Sequence, residues 1–245
     1  ASDVYKRQRL NYTFDSRYML TATMRRDGTS RFSKDNRWGT FPSVALAWRV
    51  SEEAFLKDNA VLSNLKLRAS YGVTGQQDGI GNYNYLPVYT ASQSGAEAQF
   101  GNQYITTYRP EAYVSNLKWE TTTAWNAGFD FGFLEDRITG SFDYYTRQTK
   151  DLLATVASPA GTNFDKNILT NVGNVDSQGI EVSLNASPIQ SKNWNWDVSF
   201  NMTWQKMKVK NLSLVEGGAA TNISAGASID GQNVQVLSEG YEPYM

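Results

Sequence analysis

Cysteine and histidine are both absent from the 245 residues. The first absence removes disulfides, thiol nucleophiles and iron–sulfur ligands. The second removes Ser-His-Asp triads and histidine-ligated zinc. An all-carboxylate metal site or a carboxylate-pair hydrolase survives these exclusions, but no two acidic residues stand out as such a pair. The reading is therefore no enzyme, no metal and no cofactor. An excess of one charge is also missing: 23 Lys and Arg face 24 Asp and Glu, which is not the basic footprint of a nucleic-acid binder. Long hydrophobic runs are missing too. That excludes transmembrane helices, which need about 18 or more apolar residues in a row, but not transmembrane strands, whose apolarity is hidden by alternation. No signal peptide opens the sequence, so the chain is expected either to be cytosolic or to lack its start.

What the sequence does have is aromatic residues, 13% of the chain, and a period of two. From Leu117 to Phe133 one set reads Leu117, Trp119, Thr121, Thr123, Trp125, Ala127, Phe129, Phe131, Phe133. The other reads Lys118, Glu120, Thr122, Ala124, Asn126, Gly128, Asp130, Gly132. A helix would mix the two sets, so the pattern predicts a strand with one apolar face and one polar face. The same alternation recurs around Leu10–Phe14, Tyr18–Met24, Pro42–Val50, Leu65–Val73, Ile138–Tyr144, Ile180–Ala186 and Trp194–Trp204. That makes about eight strands, several well beyond the usual globular length of about 5–6 residues and close to the roughly 9–11 needed to cross a bilayer at a tilt.

The links alternate in length. Asp15–Arg17, Leu134–Arg137 and Pro188–Asn193 are short; 28–36, 76–116, 151–171 and 211–245 are long. Short turns on one side and long loops on the other is the asymmetry of an outer-membrane barrel. Ser51–Asn64 is a medium link on the short side, and Ser51-Glu52-Glu53-Ala54-Phe55-Leu56 begins like a capped helical turn. Trp38, Trp48, Trp119, Phe133, Trp194, Trp196 and Trp204 lie near strand ends, as a headgroup-level belt would place them. The competing reading sets these rings in the core of a soluble β-sandwich that binds carbohydrate through its loops. In the 76–116 loop, Tyr83, Tyr85, Tyr89, Tyr104 and Tyr108 stand among Asn, Gln and Ser. They are the candidate substrate or partner contacts, because rings stacked on sugar faces with amide partners suit glycan binding. A loop packed on its own aromatics is the opposing possibility.

Several stretches together carry a family resemblance. They are Arg26-Asp27-Gly28-Thr29-Ser30-Arg31-Phe32, Asn36-Arg37-Trp38-Gly39-Thr40-Phe41-Pro42-Ser43 and Leu65-Lys66-Leu67-Arg68-Ala69-Ser70-Tyr71-Gly72-Val73-Thr74-Gly75. With them go Leu117-Lys118-Trp119-Glu120, Asp143-Tyr144-Tyr145 and Asn171-Val172-Gly173-Asn174 with Gly179-Ile180-Glu181. In this order they resemble the barrel of SusC/RagA-type TonB-linked outer-membrane proteins. The resemblance implies an all-β, antiparallel transmembrane wall cut from a barrel of about 22 strands in the outer membrane of a Gram-negative bacterium. It also implies import of oligosaccharides or peptides, a SusD-like surface lipoprotein as partner, and drive from the TonB complex through a plug not contained in this sequence. Ala1 to Gln8 fall outside the resemblance and are expected to be a non-native or unstructured remnant, leaving 9–245 as barrel wall. The wall is expected to stay open, with the strand near Leu10 and the strand near Trp204 unpaired with each other.

Overall fold

The computed structural model describes all residues except 1, 2, 58, 159, 160, 162–164, 166, 213–221, 230, 231, 244 and 245; for 157, 223–229 and 232–234 it describes the backbone alone. Among the described residues sixteen strands run in chain order. Eight are long: β1 (Asp3–Phe14), β2 (Tyr18–Thr29), β3 (Trp38–Arg49), β4 (Leu62–Gln76), β9 (Glu120–Phe133), β10 (Ile138–Lys150), β13 (Asn174–Gln190) and β14 (Asn195–Asn211). They form one sheet in that order, every neighbour antiparallel, with β1 and β14 at the two edges. The sheet is open, as expected.

The register carries the period of two across the whole wall. One row reads Phe14, Tyr18, Trp48, Leu67, Phe129, Phe142, Val182, Met202; the next reads Tyr12, Leu20, Leu46, Ala69, Ala127, Tyr144, Ile180, Trp204. Because side chains alternate between faces, one matching pair fixes all the others on a strand. The apolar rows stand exposed, Leu46 and Trp125 by more than half. In a soluble sandwich these rows would be the buried ones. Rows of this kind are stable against lipid.

Because neighbours are antiparallel, the turns after β1, β9 and β13 share one end and the long links share the other. In the three-residue link Asp15 and Ser16 both take positive φ, at the centre of a turn closed by the Arg17 N–H on the Phe14 carbonyl, a backbone twist that matches that of the flanking strands.

Four differences from the sequence reading have local causes. Asp3–Gln8, expected outside the fold, extend β1 and pair with Thr29–Met24; pairing asks only for a free backbone edge, not for alternation. Residues 1 and 2 of that segment lie outside the described residues. Val50 is not the last residue of a strand: with Ser51 and Glu52 it forms a single 3-10 turn, buried at Val50 and Ser51 and without a side-chain cap. The long loops carry small hairpins of their own: β5 (Tyr89–Ala91) with β8 (Tyr108–Pro110), β6 (Ala98–Phe100) with β7 (Gln103–Ile105), β11 (Leu153–Ala157) with β12 (Asn167–Asn171), and β15 (Ile223–Ile229) with β16 (Gln232–Leu237).

The fourth difference concerns Trp119. It was expected in the lipid belt, but it is 8% exposed and packs with Phe32, Phe41, Ile80 and Leu117. β3 and β4 pair only from Ser43↔Gly72 to Arg49↔Lys66. Toward the loop side they part, and this cluster fills the gap. The Phe41 ring occupies the space that a Cβ on Gly39 or Gly75 would need. The indole of Trp119 meets Phe41 edge-on at 5.5 Å and Phe32 at 5.3 Å. The other tryptophans of the expected belt, Trp38, Trp48, Trp194, Trp196 and Trp204, are exposed.

Candidate functional site

The face opposite the lipid rows is polar. Ser141 and Ser183 share a hydrogen bond of 2.8 Å across β10 and β13, and Thr122 and Thr149 one of 2.9 Å across β9 and β10. At mid-height Arg68 donates from Nε and one terminal nitrogen to Asp130 at 3.1 and 2.7 Å, and from that same terminal nitrogen to Asp143 at 2.9 Å. Lys66 reaches the second oxygen of Asp130 at 3.5 Å. Charges that the lipid face could not hold are thus paired on the inner side. Tyr145 lies over Gly179 on this side, with the Arg147 guanidinium 4.7 Å above its ring. The Asp143-Tyr144-Tyr145 and Gly179-Ile180-Glu181 segments therefore form one packed unit of the wall.

On the loop side the chain is held by side-chain amides. Asn36 donates from Nδ2 to the carbonyls of Asn116 and Leu117, at 3.0 and 3.1 Å. Asn171 accepts from the Lys118 N–H at 2.9 Å and donates to the carbonyls of Lys118 and Asp151 at 2.8 and 2.9 Å. These two residues hold the exit of the 76–116 loop against the neighbouring links. Farther out, the Ala112 N–H donates to Asp165 at 2.6 Å and holds that carboxyl below the usual carboxylate range, with Arg109 adding to the effect. The loops after β4 and β10 therefore meet, as a shared end requires.

The five candidate tyrosines all lie on the 76–116 loop, in two groups. Tyr83 and Tyr85 sit in the turn that precedes the hairpin, Tyr83 with positive φ. Tyr89 and Tyr108 lie diagonally on one face of the β5–β8 pair, where Tyr89 opposes Pro110 and Tyr108 opposes Ala91. Tyr104 opposes Gln99 in the β6–β7 pair. Tyr83, Tyr89, Tyr104 and Tyr108 are all more than half exposed, Tyr108 by 68%. No hydrogen bond or ring contact ties any of the five side chains to another described residue. The loop presents these four rings to solvent, whereas Tyr85 is half-buried. Sequence reasoning missed the gripping amides Asn36 and Asn171, although both lie within the segments that carry the resemblance.

Comparison with known proteins follows from this wall. The family described as TonB dependent receptor-like, beta-barrel, matches residues 9–236. The chain belongs to that TonB-dependent receptor family. It is 51% identical over 238 residues to the TonB-dependent receptor SusC of Bacteroides thetaiotaomicron, covering 95% of this chain and 23% of that protein. It is 37% identical to a TonB-dependent receptor of Formosa agariphila, over 85% of this chain and 19% of the relative. Among solved structures, the RagAB peptide transporter superposes with a TM-score of 0.80 at 26% identity, over 98% of this chain and 24% of that one. The chain thus spans about a quarter of the length of the proteins it matches. Its strands are part of a TonB-dependent receptor barrel of the SusC/RagA type, a wall of the Gram-negative outer membrane, and the family consists of transporters rather than enzymes. The reading of a soluble carbohydrate-binding sandwich is overturned by that membership and by the exposed apolar rows.

Proposed function

We propose that the protein to which this wall belongs imports oligomeric nutrients, oligosaccharides or peptides, across the outer membrane. A SusD-like lipoprotein would cap the loop side, and the TonB complex would supply the drive through a plug. The observation that carries this reading is the set of exposed rings Tyr83, Tyr89, Tyr104 and Tyr108 on the 76–116 loop. An exposed ring gains from a ligand or a partner, because stacking against it removes apolar area from water at small entropic cost. Peptide cargo is favoured by the likeness to the RagAB peptide transporter, and sugar cargo by the mixture of rings and amides in the loop.

The test is a full-length receptor carrying Tyr89→Ala, Tyr104→Ala and Tyr108→Ala. Uptake of labelled oligosaccharides and peptides should fall at least tenfold for one class while the barrel stays folded and surface-exposed. Co-purification of the lipoprotein, measured beside uptake, separates a lost partner contact from a lost substrate contact. Unchanged uptake with unchanged co-purification would count against any role for these rings.

A further inference from the structure

The lipid-facing rows change character toward the loop side between β9 and β14. Above the row that ends on Trp204, the next reads Trp125, Thr146, Gln178, Lys206 and the one beyond it Thr123, Gln148, Asp176, Lys208. Lys210 follows and reaches Asp176 at 3.5 Å. Lys206, Lys208 and Lys210 are exposed, whereas Val209 between them is buried. The three ammonium groups therefore stand on the same side as Met202 and Trp204. They line a groove of about 440 Å³ together with Trp125, Gln148 and Asp176. Lys206 and Lys208 have no ion pair among the described residues.

The sorting of charge between the faces is what makes this groove informative. Within the long strands from residue 9 onward, Asp27, Glu120, Asp130, Asp143, Glu181 and Asp197 all belong to the lumen-facing set, and only Asp176 to the lipid-facing one. The loop-end lysines do the reverse: Lys150, Lys206, Lys208 and Lys210 all belong to the outward set, whereas the arginines Arg25 and Arg147 stay in the lumen-facing one. Outward-facing lysines directly above an apolar belt cannot meet a substrate in the lumen. They stand at the headgroup layer of the leaflet on the loop side, where a lysine attracts anionic lipid.

We propose that this groove binds the phosphate of an anionic glycolipid in the loop-side leaflet. The acyl chains would run down over Trp204, Ile180 and Tyr144, which share one row of the wall. A phosphate matches flexible ammonium groups, each a compact point charge. Gln148 and Thr146 add neutral polar atoms at the rim, and Asp176, drawn to Lys210, leaves Lys206 and Lys208 free for the anion.

The test uses the full-length receptor in detergent micelles, titrated with bisphosphorylated lipid A, with its dephosphorylated form and with inorganic phosphate, bound molecules being counted by native mass spectrometry. The wild type should retain the phosphorylated lipid in preference to the dephosphorylated one. The Lys206→Gln, Lys208→Gln, Lys210→Gln variant should bind it on the order of 100-fold more weakly, at about fivefold per lysine near an anionic surface. The corresponding triple arginine variant keeps the charge and should retain binding; if the glutamine variant fails to fold, the wild-type phosphate preference and the arginine variant still decide. Equal binding of both lipids, or binding of inorganic phosphate as tight as that of the lipid, would overturn the proposal. So would undiminished lipid binding by the glutamine variant.

Discussion

Asn171 and Lys118 face one another as two paired strand residues would, but through a side chain. The Asn171 amide accepts from the Lys118 N–H and donates to the Lys118 carbonyl, 2.9 and 2.8 Å away. One side chain thereby satisfies both backbone groups just where β9 has not yet begun. The same Nδ2 also reaches the Asp151 carbonyl, so the roots of two long loops share a single clip.

Replacing Asn171 by Leu keeps the volume and removes these bonds. The local opening should become easier by about 2 kcal/mol, the net loss expected for a few hydrogen bonds with backbone partners left behind. Hydrogen exchange at the Lys118 amide should then quicken on the order of 30-fold while amides in the middle of β9 keep their protection. Equal acceleration throughout β9 would show that the clip supports the sheet and not the loops.

Phe41 and Gly75 give the second prediction. The ring lies where a Cβ on Gly75 would be, at the place where β3 and β4 no longer pair. Gly75→Ala should destabilise the full-length barrel by about 1–3 kcal/mol through overpacking, read as a lower temperature for loss of the compact form on unheated gels. Phe41→Leu in the same chain should recover part of that loss, since the smaller side chain frees the space. Failure of the double variant to improve on Gly75→Ala would mean that the backbone at Gly75, and not the ring, sets the limit.

The same pair shows where the sequence stops being legible. Alternation reveals eight strands, their faces and their shared ends because a strand between lipid and water must sort its side chains residue by residue. It does not reveal where a strand ends when the next residues keep the pattern for another reason. Leu117 and Trp119 continue the apolar set of β9, yet both are buried in the cluster with Phe41. Nor does it reveal Asn36 and Asn171, because an amide that grips backbone looks like any loop amide until its partners are brought close by the fold. The tyrosines of the 76–116 loop were legible as candidates, but the placing of Tyr89, Tyr104 and Tyr108 follows from the β5–β8 and β6–β7 pairings, whose three-residue strands are too short to show a period.

The two faces make a third prediction. Phe129 lies in the apolar row between Leu67 and Phe142, and Asn126 in the polar set of the same strand, opposite Ser70 and Tyr145. In the full-length receptor Phe129→Arg should cost about 2–4 kcal/mol, the range for a basic residue near the bilayer midplane of a barrel. Asn126→Arg should cost far less, because its charge enters a wet lumen. Equilibrium unfolding in liposomes measures both, and equal costs would mean that the faces are wrongly assigned.

The last prediction concerns pH and rests on Glu53, in the link that follows the 3-10 turn. Its carboxylate accepts from the Tyr18 hydroxyl at 2.5 Å, from the Trp48 indole N–H at 3.0 Å and from Arg17 at 2.8 Å. Tyr18 and Trp48 stack with their rings 6.3 Å apart, so Glu53 anchors the turn-side end of the lipid belt. The hydroxyl of Tyr18 first, then the Trp48 indole and the Arg17 charge, hold the Glu53 carboxyl below the usual carboxylate range. A carboxyl depressed by folding stabilises the folded form fully above its unfolded pKa, and that contribution is lost as pH falls through the lower folded value. The anchor should therefore hold through neutral and mildly acidic conditions and release only below the ordinary range for glutamate. The indole N–H resonance of Trp48 should shift upfield as this happens. In Glu53→Gln that acid transition should vanish, because the amide oxygen still accepts from Trp48 but does not titrate. A Trp48 transition of the same midpoint in the variant would assign it to another group and remove Glu53 as the anchor.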